Sequence, residues 1–215
     1  MLSEDPNAMS SNLRALIRDR QFWANAESLA KVLAPAKSAV KMVEARTTSM
    51  ADVFLALIRM ATAIKSLPCQ DTQERVEFRK QSIQFYNKRW KEFDVETYIL
   101  AYFLHPKFRG KGMRPRVFQS IIRRALEIWK KLGGGETSAQ VLVAQIHNYD
   151  AFKMPYNFTY MENIETPATW WTGCKQAKHY LQKLALYLLS ITPHSAGCER
   201  VFTVLNWLTQ KRRSR

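Results

Sequence analysis

Apolar side chains recur along this chain every three to four residues, and nowhere do they alternate with the period of two that a half-buried strand requires. Leu13, Leu16 and Ile17 fall at helical spacing within the basic stretch 13–20. The spacing continues through Phe22, Ala26, Leu29, Val32, Leu33, Ala36, Ala39, Val40 and Val43, across Pro35. An interior proline removes a backbone hydrogen bond and crowds the preceding turn, so a bend or two short helices is expected there. Residues 51–67 carry Val53, Phe54, Leu57, Ile58, Ala61 and Ile64 on a broad apolar face, with Asp52 at the start. This reads as a buried helix stopped by Pro68.

Residues 71–93 form a long amphipathic pattern (Val76, Phe78, Ile83, Phe85, Tyr86, Trp90, Phe93) whose six basic and six acidic residues, counted from 71 to 96, balance. A helix with a charged outer face is expected. Residues 95–104 make the next helix, ended by His105-Pro106, since the residue before a proline is pushed out of helical conformation. The stretch 106–115 is broken by glycines and prolines and reads as a basic loop. Helical spacing resumes over 116–132 and stops at Gly133, Gly134 and Gly135. With no Lys-Ser/Thr after it and no strand before it, that triplet is a helix C-cap followed by a flexible joint, not a phosphate loop. Another helix is expected over 138–152. A packed aromatic linker with Tyr156, Phe158 and Tyr160 follows over 153–167, and a single helix over 168–191 carries Trp170, Trp171, Tyr180, Leu181, Leu184 and Leu188. The expectation is a mainly α chain of seven to nine helices, with no internal repeat.

Pro193 ends that helix, and Ser195 is placed as the N-cap of a final one. Val201, Phe202, Leu205 and Leu208 form its apolar stripe. Glu199 falls in the first turn, where the helix dipole favours a carboxylate. It has two readings, a metal ligand or a helix-start acid.

Charge changes the picture. The 215 residues hold 33 Lys and Arg against 18 Asp and Glu, a formal net charge of +15. The excess is concentrated: 107–131 carries nine basic residues against Glu127 alone, and 199–215 carries five against Glu199. Basic patches of this kind suit nucleic acid, and they equally suit a solvated surface that keeps a protein soluble. The candidate DNA contacts are Lys107, Arg109, Lys111, Arg114, Arg116, Arg123, Arg124, Lys211, Arg212 and Arg213. Cys69, Cys174 and Cys198 stand far apart, which supports neither a disulfide framework nor a zinc finger and fits a reducing, intracellular compartment. No apolar run approaches the roughly 20 residues of a membrane span, and the N-terminus lacks a signal-peptide pattern. His147, His179 and His194 are separate in sequence and form no ligand set. Neither a membrane nor a small-molecule substrate is an expected partner.

The block 170–215 resembles the C-terminal signature of hAT-superfamily DNA transposases. The residues that carry it are Trp170-Trp171, then Leu184-Ala185, Leu188-Leu189-Ser190-Ile191, Pro193, Ser195-Ala196, Glu199-Arg200-Val201-Phe202 and Arg213. Upstream, Tyr102-Phe103-Leu104-His105-Pro106-Lys107-Phe108 looks like a degraded form of that family's A-x-x-L-D-P-R-x-K element, and 29–67 is similar in spacing to the helical stretch before it. The resemblance implies an RNase H-like catalytic core in which two aspartates and a glutamate hold Mg²⁺ or Mn²⁺ for phosphoryl transfer. Glu199 takes the glutamate's place. Asp5, Asp19, Asp52, Asp71, Asp94 and Asp150 match none of the strand-borne aspartate positions, because the chain begins within the family's helical insertion. Cys198 and Thr203 stand where the family has serine, Gly197 is inserted, and His105 replaces the aspartate of the D-P-R element.

What the resemblance implies is therefore a multi-helix array with no sheet of its own, its C-terminal helices the remnant of an RNase H-like domain. An insertion-type region would span 1–165 and a truncated dimerisation segment 166–215. The chain is expected to be a catalytically incomplete, nuclear transposase fragment or domesticated derivative that needs no cofactor. It would associate with itself or with a full-length transposase through Trp170, Trp171, Leu184, Leu188, Val201, Phe202 and Leu205. For the tryptophans, the alternatives are core packing and stacking on DNA. The alternative function is an independent basic helical module that binds nucleic acid non-specifically.

Overall fold

The computed structural model describes residues 9–45, 48–67, 73–193 and, beyond these, 199, 202, 203, 205 and 206. Those residues are mainly helical and include no strand. The helices are α1 (Ser11–Arg18), α2 (Arg20–Val43), α3 (Met50–Lys65), α4 (Gln73–Lys91), α5 (Val95–Leu104), α6 (Phe118–Lys131), α7 (Glu136–Asp150), α8 (Pro167–Gly173) and α9 (Tyr180–Ser190). A single 3₁₀ turn, Pro115–Val117, leads into α6.

Local chemistry accounts for most of the ends. The Ser10 side chain caps α1 by accepting from the Leu13 N–H. Ser49 and Asp52 form a reciprocal capping box on α3: each side chain accepts from the other residue's backbone N–H, which occupies donors that a helix start leaves unpaired. Thr166 and Thr169 do the same for α8, with Pro167 at its first position, where a missing N–H costs nothing. Gly133 ends α6 at φ +84, the left-handed turn that glycine adopts without strain.

Three expectations are corrected. Helix α2 runs through Pro35 as one helix rather than two. Proline leaves the Lys31 carbonyl without its helical partner, but Lys31 is exposed and water can serve it. The glycine triplet is a packed turn rather than an open joint: a Cβ on Gly134 would lie 2.1 Å from Nε1 of Trp129, so the backbone passes directly against that indole. The helix expected over 168–191 is two helices, α8 and α9, separated by 174–179. Gln145 of α7 holds that break open. Its Oε1 accepts the Leu181 N–H at 2.9 Å and its Nε2 donates to the Lys178 carbonyl, so a buried amide satisfies backbone groups where a continuous helix would have paired them.

The main core lies where α5, α6, α7, α8 and α9 meet. Trp170 and Trp171 stand at right angles to each other within it, 5.3 Å between ring centres, and Trp171 stacks on Tyr149 at 5.0 Å. The Trp171 indole N–H donates to the Leu104 carbonyl at 2.9 Å. That bond pairs one of the orphan carbonyls at the end of α5 and joins α8 to α5. Residues on both sides of position 165 build this core, among them Leu100, Tyr149, Tyr156, Trp170 and Leu184, so packing does not divide the chain there. A smaller cluster, Ala51, Phe54 and Tyr102, joins α3 to α5. Helices α1 and α2 have no buried residue.

Candidate nucleic-acid interface

The basic loop expected over 106–115 is a run of tight turns. It leaves α5 at His105, reverses at Arg109 (φ +45), Gly110 (φ +67) and Gly112 (φ +85), and enters the 3₁₀ turn at Pro115. Gly110 is needed twice over, for its positive φ and because a Cβ there would lie 3.0 Å from the Phe103 ring. The Tyr102 hydroxyl fixes the far end by donating to the Lys111 carbonyl at 3.1 Å. At the near end, His105 Nδ1 accepts the Lys107 N–H at 3.2 Å. That is the bond to a backbone N–H two residues on that an aspartate makes in such a turn. Accepting it requires an unprotonated Nδ1. Burial also pulls the His105 pKa down to about 4, with Asp52 and Glu162 raising it and Lys107 lowering it further.

This turn sorts the predicted cations into three groups. Arg109 is half-buried and engaged within the chain, which sets it apart from the open cations. Its guanidinium lies 4.2 Å from the centre of the Tyr149 ring, 3.8 Å from that of Phe152 and 5.6 Å from that of Trp170. It donates to the carbonyls of Tyr156 and Tyr149. The aromatic faces and two backbone acceptors take up the charge, so Arg109 ties the turn to the segment after α7. Burial moves its pKa below the ordinary arginine value. Its Nε, the Tyr149 hydroxyl and the Trp170 indole nitrogen are buried without a hydrogen-bond partner.

The second group is paired with acids. Lys107 meets Glu162, Arg123 meets Glu96, and Arg124 bridges Asp94 and Glu127. Arg124 also donates to Thr97 at 2.8 Å, and its side chain is only 20% exposed, so its work is to join α6 to the start of α5. The Lys107 and Arg123 pairs are solvated. Such pairs contribute ~0–1 kcal/mol, little enough for a phosphate to compete with the carboxylate.

Lys111, Arg114 and Arg116 form the third group. All three are exposed, and no carboxylate among the described residues reaches them. They follow one another through the end of the turn and into the 3₁₀ helix, and Lys130 and Lys131 are exposed at the end of α6. Lys211, Arg212, Arg213 and Val201 lie outside the described residues, as do Cys69, His194, Ser195, Cys198 and Leu208.

Beside the turn is a groove of about 510 Å³, bounded by 106–111 on one side and 152–162 on the other. Phe108, Phe152, Phe158 and Tyr160 supply aromatic surface to it, and Lys107 and Lys111 supply charge. In sequence Phe158 and Tyr160 read only as part of a packed linker, Phe108 as part of the basic loop and Phe152 as the end of a helix. A larger groove of about 850 Å³ lies between α2, α3 and α4 and is lined mainly by aliphatic and aromatic side chains, with Gln81, Ser82, Gln84, Lys88 and Arg89 among them. Its one group with a strongly shifted pKa is Tyr86, raised by burial to about 12, whose hydroxyl donates to the Leu57 carbonyl at 2.8 Å. That tyrosine is a structural tie.

The residues expected to mediate dimerisation divide as well. Trp170, Trp171, Leu184 and Leu188 are at most 2% exposed and pack within the chain. The expectation that α9 presents these leucines to a partner is therefore corrected: α5, α7 and α8 cover that face. Phe202 and Leu205 are 68% and 47% exposed. Glu199 is helical and exposed, with its carbonyl accepting from the Thr203 hydroxyl at 2.8 Å. Among the described residues no three His, Cys, Asp or Glu side chains gather to hold a metal ion, and no helix is long and apolar enough to cross a membrane. Cys174 is a buried thiol, its pKa raised by burial to about 12.

Compared with profiles of known protein families and with the sequences of characterised proteins, the chain matches none.

Proposed function

We propose that this chain is a catalytically incomplete segment of a hAT-type transposase, or of a domesticated derivative, whose working surface holds nucleic acid through phosphate contacts. The observation that carries the nucleic-acid part is the row Lys111, Arg114 and Arg116, exposed cations that no described carboxylate neutralises. Binding there is driven by release of counterions from the phosphate backbone and needs no base-edge readout. The transposase part rests on the ordered residues Trp170-Trp171, Leu184-Ala185, Leu188-Leu189-Ser190-Ile191, Pro193 and Glu199-Arg200-Val201-Phe202. In this reading the tryptophans and leucines keep the segment folded. Glu199, a single acid of a three-acid site, acts as a helix-start residue without metal, and a nuclear location follows from the resemblance. The deciding experiment is a salt titration of DNA binding by the full chain. The logarithm of the affinity should fall linearly with the logarithm of salt concentration, and salt-independent binding would sink the reading.

Self-association is a second reading, favoured by one observation: Phe202 and Leu205 present apolar surface on the C-terminal helical segment. Sedimentation velocity of the full chain should show a dimer that Phe202→Glu dissociates. A monomer throughout the micromolar range rules this reading out.

A further inference from the structure

We propose that the groove between residues 106–111 and 152–162 receives an unstacked nucleobase, which makes single-stranded nucleic acid the preferred ligand over duplex. The inference rests on the nucleic-acid reading above and adds to it a substrate class and a site. Phe152 and Phe158 are 59% and 37% exposed although each already has a partner on one side. Phe152 rests on the Arg109 guanidinium, and Phe158 on Trp170, with ring centres 4.7 Å apart and planes at 35°. Arg109 is itself held by two backbone carbonyls, and Trp170 is buried in the core. The aromatic surfaces are thus positioned before any ligand arrives, which lowers the ordering cost of binding.

Charge selects among the flat apolar ligands that could enter. Lys107 and Lys111 stand at the groove, and the row continues through Arg114 and Arg116. Glu162, the acid on the same lining, is occupied by Lys107. A backbone following the cations would bring its bases to the aromatic side chains, the pairing of basic track and stacking platform that single-strand binders use. A duplex keeps its bases in the stack and offers the same phosphates with no exposed ring faces. It should therefore bind the cations without using the groove. Asn157 and Thr159, also on the lining, offer polar groups to a base edge.

The test compares the affinities of the full chain for a labelled oligothymidylate and for a duplex of equal length, by fluorescence anisotropy at fixed salt. The unaltered chain should bind the single strand about tenfold more tightly, and Phe152→Leu with Phe158→Leu should erase that preference while leaving duplex binding unchanged. If binding is salt-sensitive but the single strand has no advantage, the groove inference fails and the phosphate-binding reading stands. If neither nucleic acid binds in a salt-sensitive manner, both fail. Photo-crosslinking of a 5-iodouridine oligonucleotide to the unaltered chain gives a readout that does not depend on the variants folding. Adducts at Phe152, Phe158 or Tyr160 are expected, and adducts confined to other segments overturn the groove inference.

Discussion

The guanidinium carbon of Arg109 lies 3.8 Å from the centre of the Phe152 ring. Both residues have positive φ, +45 and +53. Two turns, one after α5 and one after α7, are thus each bent into an unusual backbone conformation and clasped through one cation. Arg109→Lys keeps the charge but loses the planar fork that reaches the carbonyls of Tyr149 and Tyr156. It should cost about 2 kcal/mol of stability, measured as a lower urea midpoint with an unchanged slope. An unaltered midpoint would mean that the clasp contributes nothing.

The exposed row makes the opposite kind of prediction. Replacing Lys111, Arg114 and Arg116 together by glutamine should leave the urea midpoint within about 0.5 kcal/mol of the parent. The slope of log affinity against log salt should become shallower by about two to three. Arg124→Gln, which removes a cation tied to Asp94 and Glu127, should change that slope much less. Equal effects from the two sets would show that the cations act only as diffuse charge.

His105 links stability to pH. Its folded pKa is depressed to about 4 from an ordinary 6.5, so below neutrality an unfolded chain takes up a proton that the folded chain refuses. The stabilisation is complete above about pH 6.5 and is lost progressively as the pH falls toward 4. His105→Asn keeps an acceptor for the Lys107 N–H and removes the titration. Between neutral pH and about pH 4.5 the parent should lose about 2 kcal/mol more stability than this variant. Parallel losses in the two proteins would assign the acid sensitivity to other groups.

Gln145 is buried and carries the start of α9. Gln145→Ala leaves the Leu181 N–H and the Lys178 carbonyl without their partner and should destabilise the chain by about 2–3 kcal/mol. Hydrogen exchange at the Leu181 amide is the sharper measurement, because its protection should drop even in conditions where the chain stays folded. Protection equal to the parent's would show that the amide has another partner.

Much of this molecule is determined locally and was therefore legible in its sequence. Helix α5 occupies 95–104 as its apolar spacing and His105-Pro106 imply, and α3, α6 and α7 begin and end within a few residues of their patterns. Periodicity and helix-stopping residues act over one or two turns, so sequence alone resolves them. What sequence could not resolve are choices made by partners far along the chain. The chain breaks at 174–179 because Gln145, more than thirty residues earlier, pairs with its backbone. Arg109 and Lys111 are cations of the same loop, and only the approach of Tyr149, Phe152 and Trp170 converts one into a half-buried clasp and leaves the other in solvent. Composition determined how much positive charge this protein carries; tertiary packing decided which cations remain available to a phosphate, because availability depends on which neighbours reach each charge first.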